Sequence, residues 1–256
     1  MDNALLIGLS RQVALGRELE VVANNLANIN TTGYKSDSSI FEQFLMPEAS
    51  AGEFPPGSRD PAFVRDRATW HNFGSGPIQR TGGPLDVAID GDAFLVVQTA
   101  AGQRYTRSGA LQITATGALV THAGDPVLGV GGPIQFQNTD HDISIGEDGT
   151  ITVREGASAT SDSVRGQLQL AQFANNGALR KEGSSLFSAP VGVAPQPAPA
   201  NVRVVQGSIE QSNVSAVAEM SRLVEITRTY EQIASLLQQQ NSERTTALDK
   251  LAAVPA

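Results

Sequence analysis

The feature that most constrains this chain is a periodic apolar run between residues 215 and 251. Leu223, Ile226, Tyr230, Ile233 and Leu237 recur at spacings of 3, 4, 3 and 4. At about 100° of rotation per residue, these five fall with Leu248 and Leu251 inside an arc of roughly 80°. That is the seam of a coiled coil. Arg222, Glu225, Arg228 and Glu231 lie off it, and the acid–base pairs three residues apart support the helix surface. At about 1.5 Å per residue the helix would be about 55 Å long, more than a small β domain needs as a cover. Asn241 and Arg244 interrupt the seam, at a cost in stability and a gain in register.

A second helix is expected from residue 3 to about 30, with a different pattern. Leu5, Leu6, Leu9 and Val13 form one patch, and Leu15, Leu19, Val22, Leu26 and Ile29 form another. Their centres lie roughly 120° apart on the helical wheel. Either the helix bends near Gly16, or it meets more than one neighbour. Two readings stay open for both helices: each packs on its own domain, or each presents a face to another subunit.

Between the helices, turn dipeptides punctuate the chain: Asp90-Gly91, Ala101-Gly102, Thr116-Gly117, Gly124-Asp125, Asp148-Gly149 and Asn176-Gly177. Short strand-like runs lie between them at 85–89, 94–98, 118–121, 151–154 and 167–173. The expected class is α+β: a β-rich central domain, sandwich or distorted barrel, with long terminal helices forming a coiled-coil-like core on assembly. The expected divisions are an N-terminal helix and signature at 1–35, a loop or extended connector at 36–74, the β-rich domain at 75–207 and a C-terminal coiled-coil helix at 208–256. Prolines mark a loop at 47–60 and an extended linker at 189–200.

Composition removes several function classes. The formal net charge is -8, and no Lys/Arg cluster offers a face to phosphates, so no nucleic-acid partner is expected. There is no Cys, which excludes disulfides, thiolate catalysis and Cys-based zinc sites. No run of 18 apolar residues occurs, so no membrane insertion is expected. The first residues lack the basic region of a cleaved signal, and export would need a route that does not read one.

The segment Ala23-Asn24-Asn25-Leu26-Ala27-Asn28-Ile29-Asn30-Thr31-Thr32-Gly33-Tyr34-Lys35 resembles the signature of flagellar rod and hook proteins. Its signature positions are Asn24, Asn25, Leu26, Ala27, Asn28, Thr32, Gly33, Tyr34 and Lys35. Physically it reads as a helix end: Asn leaves the helix, Thr favours extended backbone and Gly33 permits a turn. Residues 83–97 with Arg104-Tyr105-Thr106-Arg107-Ser108-Gly109 resemble the core of that family's β domain. Gly207-Ser208-Ile209-Glu210-Gln211-Ser212-Asn213-Val214, with 218–220 and 228–231, resembles its C-terminal helix. Within the family, residues 1–5 and 63–89 look most like a proximal-rod member, with a distal-rod member as the near alternative.

The resemblance implies a structural subunit of the basal-body rod that transmits torque from motor to hook and filament. It implies a place spanning the periplasm, type III export, and partners among proximal and distal rod subunits and copies of itself. The assembly interface is then expected at Leu5, Leu9, Val13, Leu15, Leu19, Val22, Leu26, Ile29, Leu223, Ile226, Tyr230, Ile233, Leu237, Leu248 and Leu251.

No catalytic, metal or cofactor residue is assigned. His71, His122 and His141 show no paired ligand spacing. Asp140-His141-Asp142 fails as an EF-hand, with Ile145 where Gly is needed. Gly129-Val130-Gly131-Gly132-Pro133 lacks the third glycine of a dinucleotide loop and reads as a hairpin or bulge. Asp86, Asp90 and Asp92 fit turn chemistry better than an acid–base pair. The rival functions are a secreted β-rich hydrolase, for which no acid–base constellation appears, and a cell-wall binding module, for which Trp70 and three Tyr offer few stacking groups.

Overall fold

A computed structural model describes residues 2–45, 62–156, 162–183 and 185–252. The proline-rich stretch 47–60 lies outside them, as do the side chains of Leu5, Leu248 and Leu251. The chain divides into a helical unit, Met1–Ala27 with Asp37–Trp70 and Ser215–Ala256, and a β unit, Asn28–Ser36 with His71–Val214.

The helical unit contains α1 (Asp2–Ala27) and α2 (Ala216–Ala252). Glu219 in the first turn of α2 and Lys250 in its last complement the helix dipole. The helices run antiparallel. The Arg222 guanidinium reaches Glu18 Oε1 at 2.6 and 3.0 Å, and Gly8 lies against Leu237. A Cβ at Gly8 would stand 2.7 Å from Leu237 Cδ2, so the glycine lets the helices approach.

From Leu223 to Leu237 the coiled-coil seam therefore has an occupant within the chain, α1. Val22 on α1 and Ile226 on α2 are buried. Leu15, Leu19, Leu26, Leu223, Tyr230, Ile233 and Leu237 are half-buried. Ile29 lies beyond the end of α1, in the β unit, and within the first α1 patch Leu9 and Val13 are 48% and 55% exposed. Outside both periodic patterns, α2 carries a further exposed apolar set, comprising Val217, Met220, Val224 and Leu236. Because α2 is 37 residues long and α1 only 26, the far part of α2 outruns its cover. All described side chains from Gln238 to Lys250 are exposed.

The segment 36–74 is not simply a connector. It holds two paired strands, Asp37–Leu45 and Ala62–His71. Asn25, buried on α1, holds the start of the first. Its Nδ2 donates to Asp37 O at 2.8 Å and its Oδ1 accepts from Asp37 N at 2.9 Å. The side-chain amide thus imitates a strand neighbour, which explains why a polar residue is buried here.

The β unit is built around strand Phe94–Thr99, whose apolar run is buried on both faces. Phe94 and Val96 join an aromatic cluster with Tyr105, Phe173 and Phe187. Leu95 and Val97 join an aliphatic cluster with Val87, Ile89, Ile151 and Val204. Alternation along one strand serves two cores. The strand is central in a six-stranded antiparallel sheet ordered Arg180–Glu182, Leu186–Ser188, Gly102–Thr106, Phe94–Thr99, Leu170–Gln172 and Gln196–Pro197. The last lies inside the segment 189–200 expected as a linker, and its proline is tolerated because the strand is an edge.

A three-stranded meander, Asp140–Ile145, Thr150–Glu155 and Asp162–Gln167, adds to the aliphatic side. Its first turn is Asp148-Gly149, where Gly149 takes a φ of 80° and Asp148 Oδ1 accepts from Thr150 N at 3.0 Å. Separate two-stranded ladders complete the unit, and the strands do not close into a barrel. The α+β class holds, with the barrel alternative set aside.

Candidate functional site

Within the β unit, the segment 28–36 continues from the helix end as a short turn. Thr31 N donates to Asn28 O and Thr31 Oγ1 to Asn28 Oδ1, both at 3.1 Å. The Asn28 carbonyl thus closes a turn just after the helix, and its side chain ties the Thr31 hydroxyl to the same point. Gly33 follows in the left-handed region, with φ of 65°. A Cβ there would run into the backbone of Arg107 and Ser108. The glycine is required twice, by conformation and by space.

Gly33 N donates to Glu210 O at 2.8 Å, and Thr32 Oγ1 pairs with Ser108 Oγ at 2.8 Å. Tyr34 is buried, and Lys181 Nζ lies 3.6 Å from its ring centroid while donating to Lys35 O at 2.8 Å. Asn213 ties the same segment to another loop. Its Oδ1 accepts from Ser36 N, and its Nδ2 donates to Asn72 O and Gly74 O, at 2.8, 2.8 and 3.0 Å.

The segment ends in a buried charge cluster. Lys35 is fully buried, and its Nζ donates to Glu210 Oε1 at 2.5 Å and to Gly74 O at 2.8 Å. Arg107, also buried, donates from Nη1 to Glu210 Oε2 at 3.2 Å and to Ile89 O at 3.1 Å, and from Nη2 to Gly91 O at 2.6 Å. Its guanidinium lies 5.3 Å from the centre of the Phe94 ring. Gly76 N donates to Glu210 Oε1 at 2.9 Å. Burial pushes both the Lys35 ammonium and the Arg107 guanidinium below their ordinary values, and the Glu210 carboxylate opposes the shift. Two cations thus share one buried carboxylate.

Lys35 stands out in the sequence as a signature position, whereas its two partners do not stand out as site residues. Arg107 and Glu210 sit in the resembling segments without any charge pattern that links them. In strand Ser208–Glu210 the obvious core residue is Ile209, yet Ser208 and Glu210 are the buried ones. Only a rule that a strand's charged face can point inward when paired would find Glu210.

The rejected candidates lie apart. His71 stacks edge-on with Phe73 and Phe187, His122 is exposed, and His141 Nδ1 lies 3.4 Å from Thr139 O. Asp140 and Asp142 are engaged by Arg165 and Arg154. Asp86 accepts from Thr81 Oγ1 at 2.5 Å, and 128–133 forms a tight ladder. Among the described residues no group of His, Asp and Glu is arranged to hold a metal, and no helix is long and apolar enough to cross a membrane.

The chain is 37% identical over 252 residues to a flagellar basal-body rod protein FlgF of Caulobacter vibrioides, covering 98% of each chain. It belongs to the flagellar basal-body rod protein family. A FlgF of Rhizobium meliloti is 34% identical, and a FlgG of Agrobacterium fabrum is 35% identical, the latter covering 98% of this chain and 97% of its own. Three family profiles match in order. They are described as flagella basal body rod protein (5–35), flagellar hook protein FlgE/F/G D1 domain (88–153) and flagellar basal body rod FlgEFG protein C-terminal (205–249). Each matched region contributes one member of the charge cluster: Lys35, Arg107 and Glu210. Within the rod-family signature, Asn25, Asn28, Thr32, Gly33, Tyr34 and Lys35 are held by hydrogen bonding and packing.

Proposed function

We propose that this rod-family protein is a structural subunit of the proximal rod, built into a self-assembling tube that carries torque from the motor towards hook and filament. It does no catalysis. Its partners are copies of itself and neighbouring proximal and distal rod subunits, and it reaches its place in the periplasm through the flagellar type III export apparatus. The observation that carries the reading is the uncovered apolar surface on a helix pair whose seam is already occupied. Leu9 and Val13 on α1, and Val217, Met220 and Val224 on α2, remain at least 48% exposed. Separate open patches on one subunit suit head-to-tail contacts that repeat without closing on a single pair.

Of the interface residues expected from pattern, Leu5, Leu248 and Leu251 have side chains outside the described residues and Ile29 lies beyond α1; the other eleven sort into two groups. Leu15, Leu19, Val22, Leu26, Leu223, Ile226, Tyr230, Ile233 and Leu237 build the helix pair. Leu9 and Val13, with the α2 stripe, face the next subunit. The relative of the FlgG type keeps the distal rod as the second reading.

Val217→Asp with Val224→Asp tests the assignment in a cell lacking the native protein. The purified chain is expected to keep its melting temperature within a few degrees, since both positions are exposed. Rod assembly and swimming are expected to be lost. Normal swimming by this variant would refute the interface and with it the role.

A further inference from the structure

The cluster of Lys35, Arg107 and Glu210 is poorly designed as a source of stability. Two buried cations face one carboxylate. Among the described residues the one further anion paired with these cations, Asp92, stands 3.9 Å from Arg107 and is exposed to solvent. Arg107 Nε is buried with no hydrogen-bond partner. Desolvating three charges costs several kcal/mol per ion, and such a cluster commonly does no better than apolar side chains of the same size. Yet its geometry is selective. Glu210 Oε1 takes Lys35 Nζ and Gly76 N, while Oε2 takes Arg107 Nη1.

The backbone repeats the same pairing. Gly33 N bonds Glu210 O, Asn213 N bonds Tyr34 O at 3.4 Å, and Ser36 N bonds Asn213 Oδ1. The stem that follows α1 and the stem that precedes α2 therefore lie side by side on the β unit. A shift of one residue in either stem would replace Lys35 or Glu210 by a neighbour unable to complete the charge set: Tyr34 or Ser36, Ile209 or Gln211.

We propose that the cluster is a registration device. It sets which residues of the two stems stand opposite each other on the β unit, and so fixes where α1 ends and α2 begins, while adding little to the stability of the fold. Buried polar groups are best attested in this role. Lys35, Arg107 and Glu210 are positioning residues for assembly.

The test uses the full chain with hydrogen exchange read at individual amides. Lys35→Met leaves Arg107 and Glu210 as a balanced pair and removes only the stem's own charge. The amides of Gly33 and Ser36 are expected to exchange at least tenfold faster, with Val96 N, bonded to Gln169 O in the core, unchanged. Unchanged exchange at Gly33 and Ser36 overturns the proposal. So does an equal rise at Val96, which would make the residue a support of the whole unit. The second variant replaces all three charges, Lys35→Met with Arg107→Met and Glu210→Met. Its melting temperature is expected to match or exceed the native one while Gly33 and Ser36 lose protection. Native protection at those two amides, or loss of the fold, overturns the proposal.

Discussion

Replacing Gly33 by alanine tests the docking of the signature segment at its tightest point. Two costs can be separated. The first is conformational: at a φ of 65° an alanine loses roughly 1–2 kcal/mol to the left-handed region. The second is steric. The new Cβ would overlap the carbonyl carbon of Arg107 and the nitrogen of Ser108. Backbone atoms cannot rotate aside as a side chain does, so the two segments must part, at a further cost of about 1–3 kcal/mol. Parting them also weakens the bond from residue 33 N to Glu210 O. The sum is roughly 2–5 kcal/mol.

Gly82 supplies the control. Its φ is 75°, and nothing lies within 4 Å of a Cβ built there. Gly82→Ala should cost only the conformational part. The assay is exchange at the amides of Ser36 and Gly76, which bond Asn213 and Glu210. A loss of about 2 kcal/mol or more accelerates exchange through local opening by roughly 30-fold or more. If Gly33→Ala proves no more damaging than Gly82→Ala, the segment is not clamped against Arg107 and the site described above is wrong.

Gly16 predicts the opposite sign. It sits inside α1 with nothing within 4 Å of where an alanine methyl would stand, so Gly16→Ala should stabilise the helix by about 0.5–1 kcal/mol, read as a rise in melting temperature. The carboxylate of Asp140 is held below its usual range chiefly by the Arg165 guanidinium, with 2.6 Å bonds to both oxygens, and also by Gln137 N. A depressed acid binds fewer protons folded than unfolded, so its contribution is present above the ordinary value of 3.8 and is lost as pH falls through the folded value. Asp140→Asn should therefore lower stability near neutrality and flatten the acid limb of a stability–pH curve; an unchanged acid limb would contradict the pairing.

How much is legible from sequence depends on whether a signal is local. The α2 seam repeats every 3 or 4 residues, so its apolar face can be read, and the turn at Asp148-Gly149 announces itself in two residues. The double burial of Phe94–Thr99 follows from an unbroken apolar run. What covers a face is not local. The same 3, 4, 3, 4 spacing serves a helix in the same chain or one in the next, and only the meeting of Gly8 with Leu237 and of Glu18 with Arg222 decides it. The stripe at Val217, Met220 and Val224 is hidden because it is short and flanks a stronger pattern. The strands in 36–74 are hidden because Pro47, Pro55, Pro56 and Pro61 fall between them and mark the stretch as loop.

The charge cluster is out of reach for a different reason. Lys35 and Glu210 are 175 residues apart, and no periodicity links them; each looks like an ordinary surface charge within its own segment. Burial is tolerated only because three segments supply opposite charge and backbone carbonyls at one point. Polar side chains in and beside the resembling segments close gaps in backbone hydrogen bonding: Asn25 for Asp37, Asn213 for Ser36, Glu210 for Gly76. Short polar side chains satisfied at fixed partners set the register of the two stems more sharply than apolar contacts, which tolerate sliding.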